Sequence, residues 1–178
     1  MPIHIACAPS TPGCGSRDAH ALLTALYRSV TGQIMPPLSR EERGKPFWAD
    51  SPWHCSITHT RKAAFCALAP FPIGLDAEPI DRAVNPKLPR KVLSPRELAT
   101  WQHAENQSET FLTLWTLKES YVKYTGRGLS GYPSDLSFRV SHGAAELDGS
   151  GLTFRFIQTH GHILALCAPA EIEIIQHP

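Results

Sequence analysis

The sequence predicts an α+β protein made of two halves, and three features of the chain predict it. Short apolar runs bounded by Gly, Pro, Asp and Ser turns recur near both ends, which is strand patterning. Between them Phe111, Leu114, Trp115, Lys118, Tyr121, Val122 and Thr125 recur at steps of three and four, the period of one helical face. The resulting order is strand, helix, strand hairpin, strand, then helices, then three or four strands, which suggests two halves rather than alternating βα units. No internal residue repeat is visible. A division into residues 1–72 and 73–178, within one compact unit, is expected.

Taken in order, Ile3 to Ala8 reads as a strand ended by Pro9 and the glycines at 13 and 15. Ser16 is the expected N-cap of a helix whose stripe of Ala21, Leu22, Ala25, Leu26 and Ser29 closes at Gly32. Met35 to Arg43 reads as loop or short helix. His54 to His59 and Ala63 to Ala69 flank the polar turn Thr60-Arg61-Lys62 as a hairpin, which feeds a short strand from Pro72 to Glu78. Pro79 to Leu93 is a proline-broken loop rich in basic residues. Ser94-Pro95-Arg96-Glu97 is a strong helix start, with serine cap, proline first and glutamate third, for a helix reaching about Ala104. Glu105 to Ser108 links it to the long helix of Phe111 to Gly128, which Gly126, Gly128 and Tyr132-Pro133 terminate. Leu136 to Val140, Leu152 to Gln158, Ile163 to Ala168 and Ile172 to Ile175 read as core-building strands.

With 178 residues, 42% of them hydrophobic and 19% charged, the chain can bury a real core. A formal net charge of +1 gives no global field for nucleic acid, so any anion site must be local. The start Met1-Pro2-Ile3-His4 lacks a basic segment followed by an apolar run, and no stretch of about 18 apolar residues occurs. A cytoplasmic protein without membrane or nucleic-acid partners is expected. Five cysteines, Cys7, Cys14, Cys55, Cys66 and Cys167, form an odd set without C-x-x-C spacing, which argues for reduced, structural thiols. His160 and His162 invite a zinc reading, but Gly161 between them reads as a hairpin turn.

The chemistry concentrates on a few acids and bases. On a strand, residues two apart point the same way, so Asp76 and Glu78 share a face and repel unless a cation or a shared proton lies between them. Glu119 supplies a third carboxylate, which would complete a hard-oxygen site for Mg²⁺. Glu119 and Lys123 stand one turn apart on the long helix; the competing reading is a plain surface pair worth about 0.3–0.5 kcal/mol. Arg40, Arg43 and Lys45 lead into Pro46-Phe47-Trp48, either as a local anion site or as a solvated run balanced by Glu41 and Glu42.

These residues carry a resemblance. G-L-D-A-E from Gly74 to Glu78, followed by W-T-L-K-E-S-Y-V-K from Trp115 to Lys123, resembles the signature of the 4′-phosphopantetheinyl transferases. S-I-T-H-T from Ser56 to Thr60 and G-K-P from Gly44 to Pro46 resemble two further motifs of the Sfp-type, two-halved branch. The ordered set spans Gly44 to Leu129. The resemblance implies two halves related by a pseudo-twofold axis with coenzyme A in the cleft between them, the first half binding coenzyme and the second carrying metal and catalytic motifs. It further implies Mg²⁺-dependent transfer of 4′-phosphopantetheine from coenzyme A to a serine of an apo acyl or peptidyl carrier protein, with release of 3′,5′-ADP.

By the same resemblance Asp76, Glu78 and Glu119 would hold Mg²⁺, while Glu119 and Lys123 would be catalytic. The base is left open between Glu119 and a metal-bound water. Lys45, Thr58 and His59 would bind the coenzyme, with Arg40, Arg43 and Lys118 as lesser contributors. Thr58 and Thr60 stand where serines are more usual and keep a hydroxyl donor. The chain is shorter than the usual two-halved enzymes, mostly before Gly44, so the site of the coenzyme 3′-phosphate is not mapped. Carrier proteins of this kind present an acidic helix, for which the basic run Arg82 to Arg96 is the expected docking surface. A monomer is expected. The alternatives are a non-catalytic carrier-protein or nucleotide-binding module of the same fold, and another Mg²⁺-dependent diphosphate-cleaving enzyme.

Overall fold

Alternation along the first strand, β1 (Ile3–Pro9), sends Ile3 and Ile5 to one side and Ala6 to the other in a computed structural model that describes residues 2–127 and 134–178. Helix α1 (Gly15–Thr31) follows and ends where Gly32 turns left-handed at φ 70°. It starts two residues earlier than the Ser16 cap implies, because Cys14 occupies the cap position and makes no side-chain bond there. The segment expected as loop or short helix supplies β2 (Ser39–Arg40), which pairs with β3 (Pro46–Phe47) in a two-stranded ribbon. The hairpin β4 (His54–His59) and β5 (Ala63–Ala69) comes next, then β6 (Gly74–Pro79).

The proline-broken loop contains one helical turn, α2 (Pro89–Val92). Helix α3 (Pro95–Gln102) has the expected capping box, Ser94 accepting from Glu97 N–H and Glu97 accepting from Ser94 N–H. Helix α4 (Gln107–Thr125) begins earlier than the apolar stripe, because Asn106 accepts the Glu109 N–H at 3.1 Å and caps it. Its exit is Gly126, left-handed at φ 67°. Gly128 and Tyr132-Pro133, expected as further stops, and Leu129 at the end of the motif span lie outside the described residues. The tail forms β7 (Phe138–Ser141), β8 (Ala144–Leu147), β9 (Thr153–Thr159), β10 (His162–Ala168) and β11 (Ile174–His177). His160 and Gly161, both at positive φ, make the tight β9–β10 turn.

Two sheets result, ordered β11-β1-β5-β4 and β6-β10-β9-β8-β7. Their facing sides meet in a core of Ile3, Ile5, Phe65, Ala67, Leu75, Leu164 and Leu166. The outer face of the first sheet takes Leu23, Leu26 and Tyr27 of α1, and that of the second takes Phe111, Leu114 and Leu117 of α4. The layers are therefore helix, sheet, sheet, helix, an α+β architecture in which β5 and β10 are buried on both faces and read as continuous apolar runs. β11 returns from the C-terminal end to lie parallel to β1, Ile3 opposite Ile174, so one strand of residues 73–178 completes the sheet built by residues 1–72. Among the described residues no helix is long and apolar enough to cross a membrane.

Candidate active site

The period of two along β6 sorts its side chains. Leu75 and Ala77 enter the core between the sheets, so Asp76 and Glu78 face outward, toward α4. Gly74 sets how near that helix comes. A Cβ built on it would lie 1.9 Å from the Ser120 carbonyl oxygen and 2.7 Å from the Tyr124 nitrogen, so only glycine lets strand and helix backbones touch here. Ser56 on β4 closes the third side by accepting the Leu75 N–H at 2.9 Å.

Each β6 carboxylate then finds a cation, as like charges on one strand face require, and both cations come from the chain itself. Lys123 Nζ lies 2.7 Å from Asp76 Oδ1, and Thr58 donates its hydroxyl to the same oxygen at 3.0 Å. Glu78 Oε1 takes the Trp115 indole N–H at 2.9 Å and a short contact from the Arg82 guanidinium. Burial, reinforced by Asp76, still holds the Glu78 carboxyl above its usual range, with Arg82 and Trp115 opposing. Glu119 is 9% exposed, and its Oε1 is buried with no hydrogen-bond partner. Its burial, with the Asp76 charge second, pushes its carboxyl up to about 7, against the pull of Lys123.

Among the described residues no three His, Cys, Asp or Glu side chains are drawn together closely enough to hold a metal ion as they stand. The donor chemistry nevertheless fits a hard divalent cation. Asp76, Glu78 and Glu119 are all-oxygen donors whose charges act on one another, and Glu119 presents a buried oxygen that lacks a partner. Lys123 and Arg82 each hold one oxygen of this set, Asp76 Oδ1 and Glu78 Oε1.

Glu119 and Lys123 line a cleft of about 330 Å³ whose opposite wall is the basic ribbon, Arg40, Arg43, Gly44 and Lys45. The helix–ribbon contact is made by those cations. Lys45 donates to the Tyr124 carbonyl and sits 5.6 Å over the Tyr124 ring, while Arg43 donates to the Arg127 carbonyl. Cations at the carbonyl end of α4 complement its dipole, so part of the reason for this basic cluster is helix capping. Burial holds the Lys45 ammonium below its usual value. Arg40 donates to the Gly44 carbonyl at 2.9 Å and shapes the turn.

Three of the residues expected to bind coenzyme, His59, Lys118 and Thr58, do not line this cleft. His59 is exposed at the end of β4 with its ring against Gly15, where a Cβ would meet its Nδ1 at 2.5 Å, and it lines a separate cleft with residues 10–13 at the start of α1. Lys118 does not reach either cleft. It is fully buried, its Nζ 2.7 Å from Glu97 Oε2 and donating to the Leu136 carbonyl, and burial lowers its pKa. Thr58 is buried and donates its hydroxyl to Asp76. The sequence reading missed Arg82 and Trp115 as holders of Glu78; the four-residue spacing of Glu78 and Arg82 was the available signal. His162 is a core residue, 2% exposed, bonded to Thr60 and to the His160 carbonyl. All five cysteines are free, and burial pushes the Cys55 thiol up to about 12.

With this geometry established, comparison with known proteins is specific. The family model of the 4'-phosphopantetheinyl transferase superfamily matches residues 72–171. A 4'-phosphopantetheinyl transferase of Bacillus subtilis is 33% identical over 138 residues, 72% of this chain and 61% of that protein. The Sfp protein of Bacillus subtilis strain 168 is 32% identical, covering 64% of this chain and 55% of that one. The ffp protein of Bacillus subtilis is 30% identical over 183 residues, covering 90% of this chain and 81% of that one. The chain thus spans less than two thirds of the first two of these relatives. A solved holo-[acyl-carrier-protein] synthase from Thermotoga maritima is 22% identical, with TM-score 0.47, over 55% of this chain and 61% of that one.

Proposed function

Because the chain belongs to the 4'-phosphopantetheinyl transferase superfamily, we propose that it transfers 4′-phosphopantetheine from coenzyme A to a serine of an apo acyl or peptidyl carrier protein, releasing 3′,5′-ADP. The observation that carries this reading is the meeting of Asp76 and Glu78 from β6 with Glu119 and Lys123 from α4 beside a basic cleft. Asp76, Glu78 and Glu119 would hold Mg²⁺, which when bound supplies neutralisation of diphosphate charge.

The chain's own groups account for the remaining needs of the reaction. The serine oxygen forms a bond to the phosphorus bearing the pantetheine arm, and the bond from that phosphorus to the 3′,5′-ADP oxygen breaks. Glu119, which lines the cleft, is the chain's own candidate to take the serine proton. Lys123, which lines the cleft with its ammonium on Asp76, would balance the charge that develops on the departing phosphate. Lys45, Arg40 and Arg43 line the wall where coenzyme phosphates would lie, and His59 beside the start of α1 offers a second anion contact. The exposed Lys87, Arg90, Lys91 and Arg96 would receive the acidic carrier. The enzyme would act as a monomer in the cytoplasm.

The direct test is incubation with coenzyme A, Mg²⁺ and an apo carrier, followed by mass spectrometry of the carrier. One added phosphopantetheine is expected. A carrier that stays unmodified while the protein binds it or the coenzyme would favour a non-catalytic module.

A further inference from the structure

Arg82 follows β6 by a turn in which its N–H donates to the Pro79 carbonyl at 3.0 Å, and this turn folds its side chain back onto Glu78. The guanidinium donates to Glu78 Oε1, the oxygen that also accepts the Trp115 indole N–H, and its carbon lies 5.6 Å from the centre of the Trp115 ring. Glu78 is thereby fixed from two sides. Arg82 is only 35% exposed in its side chain, so it is set apart from the outward-facing Arg90 and Lys91. Lys123 does the same for Asp76 at the other end of the pair.

A divalent cation and a guanidinium cannot share one carboxylate oxygen without strong mutual repulsion, and both need its lone pairs. We infer that Arg82 is a positioning residue of the metal site: it is the resident counter-ion of Glu78 in the metal-free protein and is displaced from Oε1 when a divalent cation binds. The inference rests on the metal reading given above. Its consequence is that Arg82 preorganises Glu78 at the cost of metal affinity, so removing its charge tightens the metal.

The test uses the full chain and Mn²⁺ alone, with free Mn²⁺ followed by electron paramagnetic resonance at fixed neutral pH. Arg82→Gln is expected to lower the Mn²⁺ Kd about twofold to fivefold, the scale of a partly exposed ion pair. Arg82→Lys, which keeps the charge, is expected to stay near wild type. In a Glu78→Gln background Arg82→Gln should lose most of its effect, which a general structural role for Arg82 would not produce. Arg82→Met keeps the stem packed on Trp115 and must show the same tightening if Arg82→Gln does not fold. Mn²⁺ bound by the wild type and equally or more weakly by both neutral variants overturns the counter-ion role and leaves the metal reading standing. No Mn²⁺ bound by any of these proteins overturns both.

Discussion

The Cα of Gly74 rests on the carbonyl oxygen of Ser120, at a separation that a single methyl group would reduce to 1.9 Å. That contact joins the strand bearing Asp76 and Glu78 to the helix bearing Glu119 and Lys123, so the geometry of the site depends on one missing side chain. Gly74→Ala must push strand and helix apart by more than about 1 Å, since real Cβ contacts stay above 3.0 Å and the opposing atoms at 1.9 and 2.7 Å are backbone. A stability loss of about 1–3 kcal/mol is expected, the range for overpacking, with loss of transfer larger than the fold defect explains. Chemical denaturation alongside carrier modification checks this; a fully active variant would show that the close approach is dispensable.

The second prediction concerns the buried pair Lys118 and Glu97. Glu97 also accepts the Ser94 and Phe138 N–H groups, so one ion pair ties α3, α4 and β7 together inside the core. Lys118→Ala leaves a buried carboxylate without its cation and is expected to cost about 3–5 kcal/mol, whereas Lys118→Met with Glu97→Gln should recover most of it. Urea unfolding measures both. A loss under about 1 kcal/mol for Lys118→Ala would mean that the pair is not needed for the fold.

What the sequence made visible divides along the same line. Asp76 and Glu78 were placed on one face because strand alternation is strict, and Ser94 with Glu97 was read as a helix start because the capping box is local. The partners were not visible. Lys118 finds Glu97, Thr58 finds Asp76, and Lys45 finds the Tyr124 carbonyl through contacts between distant segments that leave no periodic trace. The start of α4 was missed for a different reason: Asn106 caps the helix with its side chain before any apolar stripe begins. Arg82 was grouped with its basic neighbours by composition, although its turn sends it back to Glu78.

Stability of the metal-free protein should report on Glu119 through pH. Its carboxyl is raised from 4.5 to about 7, so the folded protein holds a proton that the unfolded chain releases, and this stabilisation is lost as pH rises across that window. The loss from this one group is on the order of 3 kcal/mol. Burial of His4 and His54 lowers their pKa values and works in the opposite sense, so the quantity to measure is wild type minus Glu119→Gln in chelator at pH 5 and pH 8. Glu119→Gln is expected to gain on the wild type at pH 8 and not at pH 5. Parallel profiles for the two proteins would place the Glu119 carboxyl in its ordinary range.

Carrier docking should follow charge. Arg90 and Lys91 stand exposed on α2, clear of the site. Exposed charges act over about 8–10 Å at moderate salt and mainly govern encounter, so Arg90→Glu with Lys91→Glu should raise carrier KM, weaken its salt dependence and leave kcat unchanged. Steady-state kinetics at low and high salt decide it. An unaltered KM and salt dependence would move docking to another face, with the flank of α4 near Lys123 the next to test.

The most direct test of the account is the mass of an apo carrier after incubation with coenzyme A and Mg²⁺ in the presence of wild type or Asp76→Ala. Asp76 is held by Lys123 and Thr58, so the variant leaves an ammonium and a hydroxyl without their partner, but Lys123 is partly exposed and the fold is expected to survive. The account predicts one added phosphopantetheine with the wild type and an unmodified carrier with the folded variant. Near wild-type modification by Asp76→Ala at low Mg²⁺ would contradict it.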